Sequence, residues 1–76
     1  MTEADCTVRL SGDKALVLHD WLQRFNASDP DFEDQAEQRV LWDLEADLER
    51  QLVGPLGPDY AAELAAARRR VRDPAE

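Results

Sequence analysis

The sequence predicts a mainly α domain: a short N-terminal strand followed by a three-helix domain with an antiparallel helical hairpin. Three observations predict it. Apolar residues recur at helical spacing in three separate stretches. Two turn sequences, Asn26 to Pro30 and Gly54 to Pro58, divide those stretches. Before them, Cys6, Val8 and Leu10 alternate with Thr7 and Arg9, the period of two that suits a strand over about 6–10. The whole of 1–76 reads as one small domain.

A lone strand has no hydrogen-bonding partner. It must pair with the same strand of a second copy, pair with a different protein, or be merely extended. Ser11, Gly12 and Asp13 end it and cap the first helix, expected over 14–26. There Val17, Leu18, Trp21, Leu22 and Phe25 form the apolar stripe, and Leu16 points away from it. The turn that follows offers Ser28 or Asp29 as the cap of the second helix, with Pro30 in its first turn. That helix is expected over 31–53, with Ala36, Val40, Leu41, Leu44, Leu48 and Leu52 on one face. Gly54 to Pro58 stops it. The third helix, expected over 58–72 and ending near Asp73-Pro74, carries its stripe on Tyr60, Leu64, Ala67 and Val71. So short a linker predicts that the second and third helices pack as a hairpin, closed over by the first.

A chain of 76 residues with 43% hydrophobic content can form a core, but a thin one. The single cysteine permits no disulfide within the chain, so self-association is a natural way to add stability, and a homodimer is expected. The net charge of -8 argues against binding nucleic acid or anionic lipid. Basic partners, or mimicry of DNA, fit the sign better; the bland reading is solubility alone. The N-terminal residues lack a signal-peptide core, and no segment approaches the roughly 20 apolar residues of a membrane helix, so the expected location is the cytoplasm. One Lys against eight Arg, with abundant Ala and Asp, looks like a GC-rich bacterial genome.

Each residue with chemical potential has a structural alternative. Glu37 lies inside the apolar face of the second helix, and an acid there must be paired, neutralised or at the rim. A buried Glu37 is a possible general acid or base; the preferred reading is an ion pair with Arg68 on the third helix. His19 is the only histidine and reads as a surface residue, since Asp20 beside it does not face it on a helix. Cys6 has Asp5 beside it, the wrong setting for a reactive thiolate, and reads as a buried or dimer-interface thiol. Asp29, Asp31, Glu33 and Asp34 fail the calcium-loop pattern and suit the start of a helix instead, so neither a metal nor a cofactor is expected. Arg68, Arg69, Arg70 and Arg72 point in different directions and read as a solvated helix end, partly paired with the acidic second helix.

Trp42 is the residue favoured for binding. It lies roughly 100° or more from the centre of its helix's apolar face. Ala46 and Val53 share its side, Arg39 adjoins it, and Glu45 and Glu49 belong to the same acidic helix. A Trp beside an Arg is the composition of an interface hot spot. The alternative is that the first helix or an oligomer mate covers it.

The runs Leu10-Ser11-Gly12-Asp13-Lys14-Ala15-Leu16-Val17-Leu18, Phe32-Glu33-Asp34-Gln35-Ala36-Glu37 and Val40-Leu41-Trp42 resemble small bacterial proteins of unknown function. That resemblance implies an extended start, a leading helix and an "AE..VLW"-like second helix, and no activity. The expected function is therefore a cytoplasmic protein–protein interaction or regulatory module, with Trp42, Arg39, Ala46, Glu45 and Glu49 as the binding surface. The alternative is a small enzyme or ligand binder built around Glu37, with Tyr60, at a dimer interface.

Overall fold

A computed structural model describes residues 4–52 and 58–73. It contains three helices: α1 (Gly12–Ala27), α2 (Gln35–Gln51) and α3 (Tyr60–Arg72). Among the described residues there is no strand. Residues 5–11 are irregular rather than the strand expected over 6–10, and among the described residues no second strand offers them a ladder. Val53 and the Gly54–Gly57 linker lie outside the described residues, as does Pro74.

Local chemistry sets the helix starts. Ser11 caps α1, its side chain accepting from the Lys14 amide at 3.2 Å. Asp34 caps α2, accepting from the Ala36 amide at 2.7 Å. α2 thus begins at Gln35, four residues later than the Pro30 turn suggests, and neither Ser28 nor Asp29 is its cap. Asp29 has a φ of 57°, a left-handed conformation that ends α1 rather than starting α2. Phe32 then packs edge-on against Phe25, with centroids 6.0 Å apart. That contact holds the connection against α1 and out of helical conformation. The third helix starts at Tyr60, after a turn at Pro58 and Asp59.

The expected hairpin of α2 and α3 does not form. Both helices pack on α1, and their backbones do not approach each other. Asn26 of α1 reaches Glu45 of α2, while Leu18 and Ala15 lie beside Leu44, Leu48 and Gln51, so α1 and α2 run antiparallel. Tyr60 at the start of α3 meets Asp20, and Arg70 near its end meets Asp13, so α3 also runs against α1. The reason is one of supply. α2 and α3 each bring one apolar stripe, and α1 is the helix with apolar side chains on two sides.

This arrangement corrects the expected face of α1. Leu16, His19 and Leu22 are its buried residues, and Trp21 is exposed. The core consists of Leu16, Leu22, Leu48, Leu52, Leu64 and Ala67, with Val17, Leu18, Leu41, Leu44 and Tyr60 packed against it. On α2, Ala36 and Val40 are exposed; the covered face is Leu41, Leu44, Leu48 and Leu52. The α3 stripe lies as its spacing predicts, with Leu64 and Ala67 buried and Tyr60 and Val71 half-buried.

Candidate functional site

Glu37 is exposed, not buried. It occupies the third position of α2, and its Oε1 accepts from the Glu33 amide at 3.0 Å. Asp34 and Glu37 together therefore satisfy donors at the helix start, in the manner of a capping box. The carboxylate within the apolar spacing is explained by the end of the helix, not by its face. Arg68 lies elsewhere, donating from its guanidinium to Asp20 Oδ2 at 3.1 Å.

Asp20 is the charged centre of the molecule, and neither spacing nor composition marks it. Its side chain is only 13% exposed. Oδ1 accepts from the Tyr60 hydroxyl at 2.8 Å, and Oδ2 accepts from Arg24 Nε at 2.9 Å as well as from Arg68. Burial alone would raise the Asp20 carboxyl pKa. The hydrogen bonds from Tyr60 and Arg24, with the charges of Arg24 and Arg68, outweigh it and hold the group below 3.8. Tyr60 is pushed up to about 12, first by burial and then by its bond to the Asp20 anion. One carboxylate thus fastens α3 to α1. A second fastening is bidentate, Arg70 donating to both oxygens of Asp13 at 2.8 and 2.9 Å. Arg68 and Arg70 of α3 therefore pair with acids of α1 rather than with α2, while Arg72 pairs with the adjacent Asp73.

His19 is fully buried, contrary to the surface position expected for it, and among the described residues neither ring nitrogen has a hydrogen-bond partner. It stands between Leu16 and Leu22 at a spacing of three, on the face that α1 turns into the core. Cys6 is exposed in the single chain. Among the described residues no group of acids, Cys and His is arranged to hold a metal ion. No helix among them is long and apolar enough to cross a membrane.

The remaining chemistry lies outside. None of the five aromatic side chains is buried. Trp42 is 47% exposed, over a shallow recess lined by Gln35, Ala36, Gln38 and Arg39. Ala46 and Glu49 are exposed on the same helix. Glu45 differs: it is half-buried, and its Oε1 accepts from Asn26 Nδ2 at 2.7 Å, tying α2 to α1. A second aromatic face was not anticipated. Trp21 stacks on Phe25 at 4.7 Å with planes 13° apart, and Phe25 meets Phe32 edge-on. Phe25, Phe32, Val40 and Leu41 line an open groove between α1 and α2, with Asp31 and Glu37 at its rim. Val40 is 62% exposed there. The signal for this face lay in the sequence as Trp21 and Phe25 at a spacing of four, but that spacing equally describes a core stripe. No family model, curated protein or solved structure matches the chain.

Proposed function

We propose that the chain is a cytoplasmic protein-interaction module whose outward aromatic residues carry recognition. One observation supports this most: a domain of 76 residues builds its core from Leu, Ala and one His, and leaves every aromatic side chain at least partly outside. Aromatic residues give large apolar contact area at low entropic cost and are enriched at binding hot spots. Trp42, with Arg39, Ala46 and Glu49 around it, is one such surface, and Trp21 with Phe25 and Phe32 is another. A net charge of -8 favours a partner of opposite sign.

A homodimer in which residues 6–10 pair across a twofold axis is a second reading. Val8, 74% exposed, favours it, since a partner strand would cover that side chain. A sedimentation mass that stays monomeric up to high protein concentration dismisses it.

The test of the main reading is affinity capture from the native host with wild type, Trp21→Ala and Trp42→Ala, each first shown to be folded by circular dichroism. A stoichiometric partner lost in one of the two variants is the expected result. Capture that is indifferent to both substitutions sinks the assignment.

A further inference from the structure

We infer that the groove between α1 and α2 is the seat of a cationic amphipathic helix from another protein. The inference rests on the interaction-module reading and names the face and the partner chemistry.

The floor of the groove is apolar and partly exposed: Phe25, Phe32, Val40 and Leu41, with Trp21 beside it, stacked on Phe25. Successive ring centroids lie 4.7 and 6.0 Å apart. That interval matches the ~5–6 Å between side chains three or four residues apart on a helix, so an i, i+4 stripe can lie along the rings in register. A site for a small ligand would be enclosed and lined by a few convergent polar groups; this one is an open trough.

Charge selects the occupant. Asp29, Asp31, Glu33, Asp34 and Glu37 follow one another at this end of α2 with no Lys or Arg among residues 28–38. Among the described residues no cation pairs with any of the five. Asp31 and Glu37 line the groove and the other three adjoin them in sequence, so negative charge without a cationic partner flanks an apolar floor, the complement of a helix with an apolar stripe flanked by Lys or Arg. A second copy of this chain fits poorly. It brings its own charge of -8, and in its one arginine-rich helix the apolar stripe is committed to the core, with Arg68 and Arg70 already paired.

The experiment titrates the full chain, labelled for NMR, with a synthetic amphipathic helix carrying a Leu stripe and Lys flanks. Two controls have the same length: one with the Leu residues scrambled off the stripe, one with Glu in place of Lys. Saturable binding is expected, with resonance changes confined to the Trp21 indole, Phe25, Phe32 and Val40. Val40→Glu, an exposed substitution that leaves the core intact, should weaken binding by about tenfold or more. Asp31→Asn with Glu33→Gln should flatten its salt dependence.

The Leu stripe and Lys flanks are all that the inference requires, so failure to bind saturably overturns it. Equal binding of the scrambled helix, or changes centred on Trp42, also overturns it. A host partner that is lost with Trp42→Ala but keeps its affinity in Val40→Glu would sink this assignment of the face and leave the interaction-module reading standing.

Discussion

Tyr60 and Asp20 give the fold a dependence on both ends of the pH scale. Asp20 is held below 3.8, so its contribution is present above that value and is lost as pH falls through the folded pKa. Tyr60 is raised from 10.0 to about 12, so its contribution is complete below 10 and is lost as pH rises towards 12. Tyr60→Phe should cost about 1.5–3 kcal/mol at neutral pH, the worth of a hydrogen bond to a charged group. It should also remove that alkaline loss. Tyr60 is the single tyrosine, so absorbance of the tyrosinate reports this group alone. A midpoint near 10 in the wild type would show that the bond to Asp20 is absent. His19 gives the opposite expectation. Its buried imidazole has no hydrogen-bond partner among the described residues, and an unmade hydrogen bond is costly. His19→Leu, of similar volume, should stabilise the fold by about 1 kcal/mol. A lowered urea midpoint in that variant would mean that the ring nitrogens are satisfied in solution.

At the level of elements, the start of α2 is fixed by its own side chains. Its first turn is held by Asp34 and Glu37, and its exposed face bears Val40 and Trp42, which contribute little to its packing. Asp34→Ala removes the bond to the Ala36 amide and should cost about 1 kcal/mol. Hydrogen exchange localises the effect: the Ala36 amide should lose protection first. An effect spread evenly over α1 and α3 would contradict the assignment of Asp34 as a cap. Because Phe32 leans on Phe25 immediately before this cap, the aromatic groove and the start of α2 form one unit. Substitutions at the cap are therefore unsuitable as tests of binding, which is why Val40 serves that purpose.

The whole molecule is a helix clasped on two sides. α1 supplies Leu16, His19 and Leu22 to the interior, α2 supplies Leu48 and Leu52, and α3 supplies Leu64 and Ala67. Covering Leu22 completely is worth about 2–3 kcal/mol, a large share of the stability a chain of this size reaches. The two ion-pair fastenings, Asp20 with Arg68 and Asp13 with Arg70, both join α1 to α3. On the α1–α2 side the tie is Asn26 to Glu45, a single hydrogen bond, together with leucine packing. The outward aromatic groove lies on this side, where the least polar scaffolding holds the helices together.

What the sequence determined by itself was local. Helical periodicity follows from repeating backbone geometry, so three helices, the Ser11 cap, and the Leu64 and Ala67 stripe could be read from spacing and capping chemistry. The position of Trp42 off the covered face of its helix followed in the same way. The start of α2 was displaced because Pro30 suits a first turn as well as it suits a connection, and only the docking of Phe32 on Phe25 decides between them. What the tertiary structure decided is which helix stands in the middle. A helical wheel gives the direction of every side chain but not how much of the circumference neighbours cover. With α1 central, its covered arc widens to take in Leu16 and His19, and Asp20 comes to face Tyr60 and Arg68 across 40 and 48 residues of sequence. Glu37, by contrast, is drawn to the amide of Glu33, so the residue that seemed to interrupt a core completes the end of a helix.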